Sequence, residues 1–316
     1  MNKLVVIGHV DAGKSTLIGH LLCKLKIYEE HVILQIQEKA IRDKKESQIY
    51  SRMTDIFEEE MEKGKTHEFN EIKFTYEGVD YNIIDTPGHQ SFVRSMISGI
   101  SRDVKSALVV ISMKDNEFEA SFGSGMLREH LSLAKAVGIE NLIVVANKMG
   151  LIKWDKDVAA KQLILIKTYL IKELRWNPDK LKIIPVDSYS GVNLLDSGGA
   201  PDWIKKPLFS AIRELPLIVK TETKKLIKIT KMKIDGTIIQ LPAKELFTKM
   251  YLCIAHYDGN ETEVSVEQIE GKTFIKQTQN AIITFNLPEE ITISVDCRII
   301  LRKNDMTIGF GKLLNE

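Results

Sequence analysis

The chain has 316 residues, 44% hydrophobic and 28% charged, which is typical of a globular protein with a sizeable core. Its net charge of +1 gives no general attraction to nucleic acid, so no DNA partner is expected. The three cysteines are too few and too scattered for a disulfide framework, and no apolar run reaches the roughly 18 residues that cross a bilayer. We therefore expect a cytoplasmic monomer of two or three domains, with no membrane partner.

Short apolar runs alternate with helical patterns over the first two thirds of the chain, which is typical of an α/β domain with a mostly parallel sheet. The runs predict strands at 4–7, 72–76, 81–84, 107–111, 142–146 and 181–186. The helical patterns predict helices at 14–26, 90–99, 126–137, 157–174 and 203–214, and a charged helical insertion over 27–63. We expect this domain to span 1–216, with helices on both faces of the sheet.

The texture changes after Pro216, where short β-rich runs begin. They cover 226–234, 249–256, 262–269, 281–287 and 291–301. The dipeptides Asp235-Gly236, Asp258-Gly259 and Glu270-Gly271 predict turns between strands. The sequence thus predicts a shortened, all-β, barrel-like region after the α/β domain.

A phosphate-binding loop is predicted between the first strand and the first helix, where the chain fits G-x-x-x-x-G-K-[ST]. Backbone N–H groups of such a loop wrap phosphates, and the helix N-terminus adds partial positive charge. Lys14 is predicted to neutralise the β- and γ-phosphates, and the Ser15 hydroxyl to bind Mg²⁺. The predicted nucleotide contacts are Gly8, His9, Val10, Asp11, Ala12, Gly13, Lys14, Ser15 and Thr16.

Asp85 ends the third predicted strand and begins the run Asp85-Thr86-Pro87-Gly88-His89. A carboxylate there can hold Mg²⁺ through water, and the Gly88 N–H can contact a γ-phosphate. His89 is predicted to orient the attacking water, with a surface histidine at a helix start as the alternative. Thr66 precedes the second strand, where a threonine can close over Mg²⁺ and the γ-phosphate.

Asn147-Lys148-Met149-Gly150 follows the fifth predicted strand and is similar to N-K-x-D, whose aspartate accepts hydrogen bonds from guanine N1 and N2. The aspartate position is occupied by Gly150, which has no side chain. Losing that carboxylate forfeits a charge-assisted pair of about 1.5–3 kcal/mol.

These motifs together resemble the elongation factor 1-alpha superfamily of translational GTPases. The run at 62–68, which contains Gly64-Lys65-Thr66, is most similar to the switch of the eukaryotic class-II release factor. Glu117-Phe118-Glu119-Ala120 also resembles a run of release and rescue factors. The stretch at 185–193 looks like the loop that reads guanine O6, which implies nucleotide contacts from Asp187, Ser188 and Tyr189.

The resemblance implies a GTPase that binds GTP or GDP with Mg²⁺ and hydrolyses slowly without the ribosome. It also implies that the partners are the ribosome and a class-I release factor, or its rescue-factor paralogue, with a role in translation termination. The family carries two β-barrels after its GTPase domain, whereas about 100 residues remain here. We read 217–245 as a remnant of the second domain and 246–316 as a shortened third-domain barrel.

Asp187 stands where the family has a serine that supports the missing aspartate. One hypothesis is that the base-reading carboxylate has moved from position 150 to position 187. The alternative is that both positions drifted after nucleotide affinity ceased to matter.

Two other functions stay open, namely a ribosome-rescue or elongation GTPase, and a nucleotide-binding scaffold that no longer hydrolyses GTP. The lysines near the start of the β region could contact ribosomal RNA or form a solvated face. They are Lys220, Lys224, Lys225, Lys228, Lys231 and Lys233.

Overall fold

The computed structural model describes residues 1–28, 30–42, 49–51, 53–54, 70–85, 104–123, 126–217, 225–243, 245–277, 279–304 and 306–314. Within them an α/β part is followed by a β-barrel, which confirms the predicted fold class. The helix predicted at 90–99 and the candidate site residues Thr66, Gly88 and His89 lie outside the described residues.

A six-stranded sheet forms the α/β part, with strand order β2-β3-β1-β4-β5-β6. Its strands are β1 (Asn2–Gly8), β2 (Asn70–Tyr76), β3 (Val79–Asp85), β4 (Ser106–Ser112), β5 (Asn141–Asn147) and β6 (Leu181–Pro185). All neighbours are parallel except β2, which pairs antiparallel with β3. Each of the six predicted strands is present. The inner strands β1, β4 and β5 are buried on both faces, and such strands are nearly continuous apolar runs.

Six α-helices have bounds within the described residues of the α/β part. They are α1 (Lys14–Lys24), α2 (Glu30–Arg42), α3 (Asp115–Phe118), α4 (Met126–Val137), α5 (Lys156–Thr168) and α6 (Leu208–Arg213). A π-helical turn at Tyr169–Glu173 continues α5. The helix predicted at 157–174 is therefore continuous, but it changes from α-helical to π-helical geometry near its end. The helix predicted at 203–214 is shorter than expected, since only its second half is helical.

Two apolar clusters cover the two faces of the sheet. Leu4 and Val6 pack on one face with residues of α1 and α6. Val5 and Ile7 pack on the opposite face with residues of α4 and α5. The alternation follows from the two-residue period of a strand and leaves the strand ends free to carry polar groups.

A closed barrel of strand order β10-β12-β7-β14-β13-β9 forms the second part. Its strands are β7 (Leu226–Ile238), β9 (Leu252–Tyr257), β10 (Asn260–Ile269), β12 (Gln279–Ser294), β13 (Arg298–Lys303) and β14 (Met306–Leu313). A short ribbon of β8 (Phe247–Thr248) and β11 (Phe274–Ile275) adjoins it. Asp258 and Gly259 both have positive φ and join β9 to β10, which confirms the turn predicted there.

The predicted division of the β region needs correction. The sequence predicts separate units at 217–245 and 246–316, whereas β7 lies between β12 and β14 in a single barrel. The partners of β7 lie tens of residues later in the chain, and no local pattern specifies such pairing. The origin of this barrel from the third domain of the family stays a prediction.

Asp235-Gly236 is not a turn, because both residues lie inside β7. Gly236 is opposite Gly311 of β14, where the two backbones approach closely. A Cβ on Gly236 would come within 2.9 Å of the side chain of Ile234, so this glycine makes room in the barrel interior.

Helix α4 packs against the barrel. Ile300 of β13 belongs to the same buried cluster as residues of α4, and Phe310 of β14 packs on that cluster. None of the helices in the described part of the chain is long and apolar enough to cross a membrane.

Candidate nucleotide-binding site

Polar residues gather where parallel strands end at one edge of the sheet. Gly8 ends β1, Asp85 ends β3 and Asn147 ends β5, while Asp187 follows β6 by two residues. Crevices at the carboxyl edge of an open α/β sheet are where such folds bind ligands. The fold therefore brings the predicted motifs to one place.

The loop between β1 and α1 has the backbone of an anion-binding nest. Asp11 and Gly13 have φ values of 62° and 92°, in the left-handed region that turns successive N–H groups toward one side. A Cβ on Gly8 would lie 2.5 Å from the carbonyl oxygen of Val110 in the neighbouring parallel strand β4, so the loop begins where only a glycine fits. Since Gly13 is the N-cap of α1, the first N–H groups of the helix face the same concavity.

The ammonium of Lys14 is folded onto this loop. Its Nζ donates to the carbonyl oxygens of Gly8 and His9, at 3.0 Å each. Burial lowers the pKa of Lys14, and the carboxylates of Asp85 and Asp11 oppose that shift. A part-buried cation held by neutral carbonyls fits a site that receives a polyanion.

The remaining predicted loop residues differ in exposure. Ala12 is buried, and its N–H donates to the carbonyl oxygen of His9 at 3.2 Å, which closes a turn. Ser15 and Thr16 are half-buried in the first turn of α1, whereas the Val10 side chain is exposed. The structure thus places Ser15 beside Lys14, and the metal role of its hydroxyl stays a prediction.

Asn147 connects the phosphate loop to the loop after β6. Its Nδ2 donates to the carbonyl oxygen of Ala12 at 2.8 Å. Its Oδ1 accepts from the Ser188 backbone N–H at 3.0 Å and from the Ser188 hydroxyl at 2.7 Å. The amide is fully buried, so Asn147 fixes the distance between the two loops. Its own contact with a nucleotide stays a prediction.

Lys148 is held by a carboxylate that the sequence did not assign to the site. Its Nζ lies 2.6 Å from Oε2 of Glu117, which also accepts from Ser112 Oγ at 2.7 Å. Partial burial alone raises the pKa of Glu117, but hydrogen bonds from Lys148, Ser112 and Lys114 lower it to about 2. The Lys148 side chain is therefore oriented before any ligand binds.

The side chain of Asp187 occupies the space next to Gly150. Its Oδ2 accepts from the Gly150 N–H at 2.8 Å, and its Oδ1 accepts from the N–H groups of Tyr189 and Ser190 at 3.1 Å each. Asp187 is buried, while the Tyr189 side chain is exposed beside it. The predicted residues 187–189 thus lie together, around the position where the motif lacks its aspartate.

His20 supports the same loop and was missed from the sequence. Its Nδ1 is 2.7 Å from the Ser188 carbonyl oxygen, to which it donates, and its ring stacks on Tyr50 at 3.8 Å between centroids. Burial lowers the pKa of His20 in spite of that hydrogen bond, which favours the neutral ring. Nothing in the sequence distinguishes this histidine from one in an ordinary core.

Three lysines of the cluster at the start of the β region form ion pairs across the barrel surface. Lys228 pairs with Glu290, Lys231 with Glu267 and Lys233 with Glu270. These pairings favour the solvated-face interpretation over RNA contact. Lys220 and Lys224 lie outside the described residues.

The described residues fit a metal ion that binds together with a nucleotide. No group of three or more His, Cys, Asp or Glu among them could hold a metal ion by itself. Mg²⁺ at phosphate sites needs only one or two protein ligands, since phosphates and water supply the others. Ser15 and Asp85 are the described candidates.

The family described as "Elongation factor Tu GTP binding domain" matches residues 1–255. The chain belongs to this family. It is 40% identical over 208 residues to elongation factor 1-alpha of Hyperthermus butylicus, covering 65% of this chain and 47% of that relative. It is 39% identical over 217 residues to elongation factor 1-alpha of Aeropyrum pernix, covering 67% and 49%. This member of the family thus spans about half the length of the curated relatives it matches.

The fold of this family member also resembles a solved structure along its whole length. The Ski7 GTPase-like domain of S. cerevisiae, bound to GDP and inorganic phosphate, matches with a TM-score of 0.78 at 16% identity. The match covers 99% of this chain and 97% of that one. The shared architecture is therefore an α/β domain followed by a barrel region.

Proposed function

We propose that this protein is a translational GTPase that resembles the class-II release factor. It binds GTP or GDP with Mg²⁺ and, with a class-I release factor, promotes termination on the ribosome. The main support for a nucleotide site is the pair of hydrogen bonds made by Asn147. They join the predicted phosphate loop, at Ala12, to the loop after β6, at Ser188. Family membership supports guanine nucleotides as the ligand class.

Each residue has a role in this proposal. Lys14 neutralises phosphate charge, and Ser15, Thr66 and Asp85 are the residues that would hold Mg²⁺. Gly88 contacts the γ-phosphate and His89 positions the attacking water. Mg²⁺ would supply neutralisation of phosphate charge when bound. Hydrolysis is slow until the ribosome completes the arrangement around the nucleotide.

The release-factor assignment rests on the sequence. Gly64-Lys65-Thr66 and Glu117-Phe118-Glu119-Ala120 are similar to release-factor runs. The barrel is the proposed surface for a class-I release factor or its rescue-factor paralogue. The ribosome is the proposed site of action, and the cytoplasm the proposed compartment.

An elongation or ribosome-rescue GTPase is the second candidate. It is favoured by the names of the relatives, which are elongation factors 1-alpha. A scaffold that no longer hydrolyses GTP is the third candidate, favoured by Gly150 at the aspartate position. The three candidates differ in their partners and in whether GTP is consumed.

The test measures GTP hydrolysis by the purified chain alone, with ribosomes, and with ribosomes plus a class-I release factor. We expect slow hydrolysis alone and a rate higher by about two orders of magnitude or more with both partners. The control variant His89→Ala should still bind GTP but lose the stimulation. A fourth condition, ribosomes with aminoacyl-tRNA, tests the elongation candidate, which stimulation there would favour. No stimulation under any of the four conditions would favour the scaffold.

A further inference from the structure

Asp187 and a side chain at position 150 compete for the same space. A Cβ built on Gly150 would lie 2.1 Å from Oδ2 and 3.2 Å from Cγ of Asp187, far inside contact distance. An aspartate at 150 therefore cannot coexist with Asp187 in its present position. The glycine and the aspartate are two halves of one arrangement.

The Asp187 carboxylate is fixed from the neighbouring loop. Three backbone N–H groups donate to it, from Gly150, Tyr189 and Ser190. The loop itself is closed by a hydrogen bond from the Gly191 N–H to the Asp187 carbonyl at 2.9 Å. Because the carboxylate position is set by backbone groups, it is preorganised and does not depend on a flexible side-chain partner.

The carboxylate still has acceptor capacity. An ionised carboxylate offers about four acceptor positions, and the described part of the chain supplies donors to three of them, the three N–H groups. The remaining acceptor position is on Oδ2, because Oδ1 accepts from two of the three N–H groups. Gly150, which donates to Oδ2, is itself exposed. The other oxygen, Oδ1, accepts from the backbone N–H of Tyr189, whose side chain is exposed.

We propose that Asp187 reads the guanine edge, as a carboxylate delivered by the loop after β6 in place of one on residue 150. This inference rests on the proposed nucleotide site. Guanine presents N–H donors at N1 and at the 2-amino group, whereas adenine presents a lone pair at N1. One free acceptor position allows one charge-assisted hydrogen bond, so guanine is preferred over adenine by roughly ten- to a hundred-fold.

The experiment exchanges the two positions. Affinities for GTP, ATP and XTP are measured with Mg²⁺ for the wild type, Asp187→Ser, Asp187→Asn, Gly150→Asp and the double variant Gly150→Asp/Asp187→Ser. Asp196→Ser is the matched control, since Asp196 also accepts a backbone N–H, from Gly198, but on an exposed turn. Thermal unfolding of every variant reports whether it folds.

We expect Asp187→Ser to reduce the ratio of the GTP affinity to the ATP affinity by about tenfold or more. Asp187→Asn should gain affinity for XTP, because its amide donates to the xanthine 2-oxygen. Gly150→Asp alone should be less stable than the wild type, and the double variant should recover both stability and the preference for GTP. The control should match the wild type.

An unchanged base preference in both Asp187→Ser and Asp187→Asn would overturn the inference. So would equal wild-type affinities for GTP, ATP and XTP, but that result would leave the phosphate site standing. Absence of Mg²⁺-dependent binding of all three nucleotides would overturn the proposed function as well.

Discussion

Glu117 shows at the scale of single residues how the site is prepared for its ligand. Its carboxylate gathers Ser112, Lys114 and Lys148, with its Oε2 2.6 Å from the Lys148 ammonium. The backbone of Lys148 has a φ of 62°, in the left-handed region that a residue with a side chain rarely adopts. The ion pair with Glu117 helps to stabilise this conformation. Glu117 therefore fixes the position of Lys148, a predicted nucleotide contact.

Replacing Glu117 by Gln should lower the free energy of unfolding by about 1–2 kcal/mol at pH 7, allowing for its partial exposure. The pKa of Glu117 is about 2 in the folded chain, below its ordinary value of 4.5. A lowered pKa contributes stability that is complete above pH 4.5 and is lost as the pH falls toward 2. Urea unfolding between pH 3.5 and 7 measures the difference from the wild type, which should shrink toward the acid end.

Glu119→Gln is the control for that experiment, because it changes an exposed glutamate two residues away. It should change the free energy of unfolding little. A difference between Glu117→Gln and wild type that is the same at pH 3.5 and pH 7 would contradict the assigned role.

The predicted site residues that the structure brings together have local motifs. The phosphate loop, Asn147 and the unusual pair Gly150 and Asp187 are visible as patterns, and the structure brings them to one edge of the sheet. Glu117 and His20 act on other residues of the site through tertiary contacts. No spacing rule reveals such contacts, so sequence reasoning could not assign them.

At the scale of elements, helix α1 is braced from outside by the segment around residue 50. A Cβ on Gly19 of α1 would lie 1.9 Å from the Tyr50 carbonyl oxygen, so the two backbones are in close contact. The Tyr50 ring stacks on His20, whose Nδ1 donates to the Ser188 carbonyl oxygen in the loop after β6. A contact on the far side of α1 is thereby linked to the nucleotide site.

Gly19→Ala should destabilise the protein by about 1–3 kcal/mol, because a backbone atom must move to admit the methyl group. Gly123→Ala is the matched control, since no atom of the described residues lies within 4 Å of a Cβ at that helical position. Gly123→Ala should raise the free energy of unfolding by no more than about 0.5–1 kcal/mol, because alanine is the better helix former. Equal effects of the two substitutions in urea unfolding would refute the close contact.

Elements were predictable where burial sets the pattern and not where pairing is distant. All six strands of the sheet were predicted, and four of them, β1, β4, β5 and β6, have nearly continuous apolar cores. The position of β7 in the barrel depends on β12 and β14, which follow it by tens of residues. Asp235-Gly236 has turn composition but lies in a strand, because the barrel needs small residues where strands approach closely.

At the scale of the whole molecule, a nucleotide-binding sheet and a single barrel are joined through α4. Ile300 and Phe310 of the barrel pack with the apolar cluster that also contains α4. A ligand-driven switch acts by biasing a second element of the structure. The shared apolar contact is a physical route by which the barrel and the sheet can affect each other.

The most direct test is GTP binding by the wild type and by Lys14→Ala, measured by titration calorimetry with Mg²⁺ and again after chelation. The wild type should bind, chelation should weaken binding, and Lys14→Ala should weaken it by roughly ten- to a hundred-fold or more, because charge-assisted bonds to phosphate are lost. Lys39→Ala, an exposed lysine on α2, should bind as the wild type does. A wild type that takes up no nucleotide, or a Lys14→Ala variant with unchanged affinity, would contradict the account.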